Sequence, residues 1–170
     1  MSDVQADANR IRTQQTAQTT AERCAAAMWD TDLASQALGM TLTGVGPGRA
    51  TVRMTVRADM VNGHGIGHGG LTFTLADSAF AFACNSYNRR TVAASCQIRY
   101  LAPTRLGDVL TAEAVERTRE GRDGVYDVTV TAATDPTTTT LVAEFVGHSK
   151  EIRGRFFEEP EADHATEEHR

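Results

Sequence analysis

Asn62-Gly-His-Gly-Ile-Gly-His-Gly-Gly-Leu-Thr-Phe-Thr-Leu-Ala-Asp77 empties a glycine-rich loop into an apolar helix that carries one acid. Gly63, Gly65, Gly67, Gly69 and Gly70 let the backbone turn sharply and come close to a ligand. The helix that begins near Gly69 presents unpaired N–H groups to an oxygen anion. Asp77 sits where a core helix should be apolar, between Leu75-Ala76 and Ser78-Ala79-Phe80. An unpartnered buried carboxylate costs several kcal/mol, so this one is paired, exposed at an interface or chemically employed.

Working outward, the helix is predicted to run about five turns, Gly69 to Tyr87, and is apolar nearly all round through Leu71, Phe73, Leu75, Ala79, Phe80, Phe82 and Ala83. Such a helix belongs in the middle of a domain. Upstream, Cys24, Ala25, Met28 and Trp29 share one face of a helix predicted over residues 20–29 and capped by Thr19 or Thr20. Met40–Val45 and Arg49–Val56 alternate as strands about the breaker Gly46-Pro47-Gly48. Downstream the period changes to two: Thr91–Leu101, Val109–Arg117, Val125–Ala133 and Thr140–Ile152 read as long strands, with Tyr126, Val128, Val130 and Ala132 on one face. Short connections between them demand antiparallel neighbours. One antiparallel sheet wrapped around one long central helix satisfies every element, an α+β hotdog arrangement.

The chain has 170 residues, 41% of them hydrophobic, enough to build one core without disulfide staples. Residues 1–19 and 158–170 are polar and are predicted to be flexible flanks of a domain spanning 20–157. A net charge of -5 and a pI near 5.5 argue against a nucleic-acid surface. No apolar run approaches the roughly 20 residues that span a bilayer, and Met1–Thr20 lacks the apolar stretch of a signal peptide, so a cytoplasmic protein is expected. The three cysteines, Cys24, Cys84 and Cys96, are widely spaced and read as small buried hydrophobes.

The loop and helix, with Phe80-Ala-Phe-Ala-Cys-Asn85, Val92-Ala-Ala-Ser-Cys-Gln-Ile-Arg-Tyr-Leu-Ala-Pro103, Gly107-Asp108 and Gly124-Val-Tyr-Asp127, closely resemble the hotdog-fold acyl-CoA thioesterases of the phenylacetate-degradation (hydroxyphenylacetyl-CoA thioesterase) type. The resemblance covers about Met28 to Ile152. It implies hydrolysis of an aryl-acetyl-CoA or related thioester without a cofactor, and assembly of dimers into a homotetramer. Thioester hydrolysis needs a group to activate water or attack the carbonyl carbon, and donors for the developing oxyanion. Asp77 is the candidate general base or nucleophile, and the amide of Gly69, joined by that of Gly70, the candidate oxyanion donor. From Gly69 to Asp77 a helix climbs about 12 Å, too far for both to reach one carbonyl carbon. A complete site then needs two chains with antiparallel helices, a symmetric dimer. The resemblance implies the same composite site and adds Asn62, to position water or the acyl carbonyl, and His68, to orient the loop.

Competing readings are weaker. The spacing of His64 and His68 gathers metal ligands only on a helix, which Gly65 and Gly67 oppose, so no metal is expected. Gly65-Ile-Gly67-His-Gly69-Gly70 fits G-x-G-x-x-G, yet Asn88-Arg89-Arg90 stands where the acid of a dinucleotide site should follow about 20 residues on. Ser95 and Gln97 are candidates to line a channel for the pantetheine arm, and Arg89, Arg90, Arg99 and Arg105 to meet CoA phosphates. Gly147-His148-Ser149-Lys150 departs from the glycine, basic residue, serine order common in the family. Met60, Phe73, Tyr87 and Asn88 are candidates for the acyl pocket. An acyl-CoA hydratase or dehydratase would need a second acid, and a non-catalytic acyl-CoA binding protein would tolerate loss of Asp77.

Overall fold

The computed structural model describes residues 3–135 and 138–158. Helix α1 (Asp3–Trp29) and the short α2 (Leu33–Ala37) precede a hairpin of β1 (Thr41–Gly46) and β2 (Arg49–Thr55). A 3-10 turn, Ala58–Met60, leads through the glycine loop into α3 (Gly69–Cys84). Strands β3 (Thr91–Tyr100), β4 (Val109–Glu120), β5 (Asp123–Asp135) and β6 (Thr138–Glu151) complete the order. All six strands form one sheet, β1-β2-β4-β5-β6-β3, in which every paired neighbour is antiparallel. The chain leaves β2, crosses the sheet as α3, lays down β3 at the far edge and returns to pair β4 with β2. This is the hotdog arrangement expected from the sequence.

The core forms where the concave face meets α3. Leu75, Ala76, Ala79, Phe80, Phe82 and Ala83 of the helix are buried against Val52, Leu110, Ala112, Tyr126, Val128, Val130 and Phe145 of the sheet. The expected inward row Tyr126, Val128, Val130 and Ala132 is buried throughout. Alanines on the helix permit close approach, and Gly147 of β6 requires it: a Cβ there would stand 2.8 Å from the Phe80 ring.

Several boundaries differ from expectation. α1 begins at Asp3 rather than Thr20, and Thr19 is not its cap, because its Oγ1 donates back to the Gln15 carbonyl at 3.0 Å. Such back-bonding satisfies threonine hydroxyls inside a helix. Residues 5–14 are exposed; docking starts at Gln18, whose Nε2 donates to the Val45 carbonyl at 2.8 Å, and continues through buried Ala21, Cys24 and Ala25. α3 stops at Cys84, short of Tyr87, because Asn85 ends it: its Nδ2 donates to Ala81 O and Thr91 O, both at 2.9 Å, and its Oδ1 accepts from Thr91 N at 2.8 Å. α2, capped by Asp32 accepting from Ser35 N at 3.0 Å, has no counterpart in the sequence reading. The proposed tail lies, apart from Glu158, outside the described residues. No helix among the described residues is long and apolar enough to cross a membrane.

Candidate active site

The glycine loop is stitched to its surroundings. Asn62 Oδ1 accepts from His64 N at 2.9 Å and Ile66 N at 3.4 Å, Gly67 N donates to Thr104 O at 2.8 Å, and His68 N donates to Met60 O at 2.8 Å. His64 therefore sits at an exposed turn, while Asn62 braces the loop from within, lines a cavity and keeps its amide N–H2 unengaged among the described residues.

His68 is the cap of α3: its Nδ1 accepts from Gly70 N at 3.0 Å. That bond occupies the Gly70 amide and leaves Gly69, of the two candidate oxyanion donors, with its N–H open. The Gly69 N–H has no acceptor among the described residues. Tyr100, from β3, roofs this point, donating from its hydroxyl to the Gly69 carbonyl at 2.9 Å. A Cβ on residue 69 would lie 3.1 Å from the Tyr100 ring, so a side chain there would press the ring aside by a few tenths of an ångström. Beside the helix start opens a cavity of about 440 Å³ lined by Asn62, Ile66, Gly69, Thr72, Tyr100 and Pro103, among others. Its walls are mostly apolar, with the Asn62 and Gly69 donors at one side.

Asp77 lies on the part of α3 that faces β3 and is half-buried. Burial pushes its carboxyl up from the ordinary value, and the Cys96 thiol, donating to Oδ1 over 3.7 Å, pulls it part of the way back. Burial and the Asp77 charge in turn push the Cys96 thiol up to about 11. Within one chain Asp77 and the Gly69 amide stay about 12 Å apart along the helix axis.

Ser95 and Gln97 do not join this group. Cys96 turns toward α3, so its neighbours on the strand turn to the opposite face, where both are exposed. β3 is an edge strand, bonded on one side only, by β6, and it exposes Val92, Tyr100 and the adjoining Leu101. Among the candidate arginines, Arg99 pairs with Glu144 at 3.5 Å, and Arg90 donates to Arg155 O at 3.1 Å. Arg89 pairs with Glu151 at 3.1 Å, on a cavity it shares with Arg122, Arg153 and Arg155. Of the pocket candidates, Met60 is buried in the core, Phe73 stacks edge-on against Phe145 at 5.4 Å and Tyr87 lies 3.9 Å beneath the Arg119 guanidinium. Asn88, fully buried at a φ of 57°, accepts from Phe156 N at 3.0 Å and ties the segment after β6 to the core.

Residues 64–139 match the thioesterase superfamily. Over 128 residues the chain is 44% identical to the acyl-coenzyme A thioesterase PaaI of Escherichia coli, covering 75% of this chain and 89% of that protein. The chain belongs to the PaaI-type acyl-CoA thioesterases. The solved structure of the E. coli PaaI protein, from a phenylacetic acid degradation operon, superposes with a TM-score of 0.77 at 41% identity, over 81% of this chain and 97% of that one. A variant of the phenylacetic acid degradation protein PaaI of Thermus thermophilus gives 0.66 at 38% identity, over 71% and 100%.

The structure groups the candidate residues of this PaaI-type thioesterase in two places: Asn62, Gly69 and Tyr100 at the start of α3, and Asp77 with Cys96 two turns further on. Tyr100, Cys96 and Thr72 were not singled out for the site from the sequence. For Tyr100 and Cys96 the available signal was the inward alternation of β3, which sets Cys96, Ile98 and Tyr100 on the face opposite Ser95 and Gln97.

Proposed function

We propose that this chain hydrolyses acyl-CoA thioesters as a dimer, each site formed by Asp77 of one protomer and the Gly69 amide of its partner. The observation that carries this reading is the pair of incomplete half-sites on one helix, one offering an oxyanion donor without a base and the other a base without a donor. The unpaired edge of β3 supports it: adding the same strand of a second copy, antiparallel, continues the sheet and sets the two α3 helices antiparallel across the junction. Dimers of this kind pair into a tetramer, and the protein works in the cytoplasm.

In the proposed reaction Asp77 acts as general base, a role suited to a carboxyl whose basicity burial has raised. Water attacks the thioester carbonyl carbon and gives its proton to Asp77. The new oxyanion is held by the partner's half-site through the Gly69 amide at a helix N-terminus and the Asn62 amide N–H2. The intermediate collapses by breaking the C–S bond, and the departing CoA sulfur takes the proton back from Asp77, leaving a free acid and CoA thiol. The cavity beside Gly69, walled by Ile66, Tyr100, Leu101, Pro103 and Val142, suits an aryl-acetyl group.

The test is release of free CoA thiol from phenylacetyl-CoA and a panel of aliphatic acyl-CoAs. Asp77→Asn is expected to lower turnover by about 100-fold or more while the protein stays folded. Full turnover in that variant would remove Asp77 from the centre of the chemistry. For the shared site, re-associated mixtures of inactive Asp77→Ala and inactive Gly69→Pro chains should regain activity through the one intact site in each mixed dimer. Mixtures with demonstrated subunit exchange that stay inactive would overturn it.

A further inference from the structure

The carboxylate at the centre of the proposed reaction has one hydrogen-bond partner among the described residues, and that partner is a thiol. Cys96 Sγ reaches Asp77 Oδ1 at 3.7 Å, while Oδ2 has no partner there. We propose that Cys96 is a positioning residue for the hydrolysis: by donating to Oδ1 it fixes the carboxylate so that Oδ2 faces the water it deprotonates. The inference rests on the reading of Asp77 as the base.

The choice of donor is consistent with the task. A thiol is a weak donor and orients an oxygen without lowering its basicity as far as a hydroxyl or a guanidinium would. Its own proton is secure, since burial and the neighbouring carboxylate push Cys96 up to about 11. The remaining groups around α3 are neutral or committed elsewhere. Cys84, on the helix itself, is pushed up to about 12, chiefly by burial and in part by the Asp77 charge. Tyr126 of β5 donates to Glu116 of β4 at 2.9 Å, and Glu116 meets Arg119 at 3.5 Å. Ser149, the buried polar residue of β6, donates to Gly124 O at 3.4 Å. No described lysine, arginine or histidine is among the groups that set the Asp77 carboxyl. Cys96 is also held firmly, because it faces Gly147 in the β3–β6 register at the level of the Phe80 ring.

The experiment compares the whole chain with Cys96→Ala, Cys96→Val and Cys96→Ser, reading the pH dependence of kcat/KM for phenylacetyl-CoA and the titration of the Asp77 carboxyl carbon in protein labelled with carbon-13 at aspartate. Asp77→Asn identifies the resonance. Removing the donor leaves burial unopposed, so the acid limb and the carboxyl titration should both move to higher pH, by about half a pH unit or more. Turnover should fall about threefold to tenfold at little change in KM. Serine, which keeps a donor, should hold both midpoints at or below those of the wild type. Either donor-free variant suffices if the other fails to fold. Midpoints that coincide in the donor-free and serine variants would overturn the proposal and leave Cys96 as packing. Full thiol release by Asp77→Asn would instead overturn the base on which it rests, whatever the carboxyl titration shows.

Discussion

Asp77 should cost the fold what it gives the chemistry. Burial raises its carboxyl in the folded chain above the ordinary carboxylate value, so the native state holds its proton to higher pH than the unfolded chain does. Stability contributed by this group is therefore greatest below the unfolded value and is lost as pH rises through the folded one. Asp77→Asn removes that loss. Its Tm should exceed that of the wild type at pH 8, and the gap should close as pH falls toward 4, which thermal melts across that range would detect; a variant less stable at pH 8 would contradict the sign. At this scale the sequence was legible where chemistry and neighbours were contiguous. An acid among alanines and a glycine loop stand out within one short run. Tyr100 and Cys96 did not, since each reaches the site across a tertiary contact. That the Gly70 amide is engaged was hidden for a related reason: the spare acceptor of His68, which takes it, becomes visible only when the cap is formed.

At the scale of elements, the seat of α3 is set by one missing side chain. Phe80 occupies the space above Gly147, with a ring carbon 2.8 Å from where a Cβ would stand. Gly147→Ala should force the helix away from β6 and cost about 1–3 kcal/mol, read as a lower denaturant midpoint at unchanged slope. A neutral outcome would mean that Phe80 swings aside freely. The strands were legible because alternation with a period of two survives any sheet order, and the short turns fixed their antiparallel sense. The ends of the helices were less so. α1 begins far upstream because its polar first half buries little and leaves no apolar stripe to read. α3 ends early because Asn85 bonds across to β3, a partner that local propensity does not register.

For the whole molecule, the proposed shared site turns on the outer edge of β3. Ala94 sits there at a bulge, exposed in the single chain. Ala94→Glu should therefore leave the protomer folded, with unchanged far-ultraviolet circular dichroism. Like charges would meet across the two-fold axis of the proposed dimer, parting its protomers, read as a lower mass by light scattering, and abolishing thiol release. Monomers that keep full activity would refute the shared site. The argument for two chains needs only the length of helix between Gly69 and Asp77, and so could be made before the strand order was known. The open edge of β3 was not legible, because β3 follows α3 in sequence but is placed beside β6, and no local pattern announces which strand ends a sheet.

That strand order has a consequence during synthesis. In the sheet β3 is bonded only to β6, so it has no strand partner until residues 138–151 have left the ribosome. At about 5–20 residues per second, several seconds separate the emergence of α3 from that of its last covering strand. Through that interval Phe80 lacks Phe145 and Gly147 as neighbours, and the most apolar helix of the chain is open to chaperones or to another nascent copy. An edge strand placed last leaves the proposed site unfinished until the rest of the chain has been made, and a chain truncated before β6 is expected to lack activity.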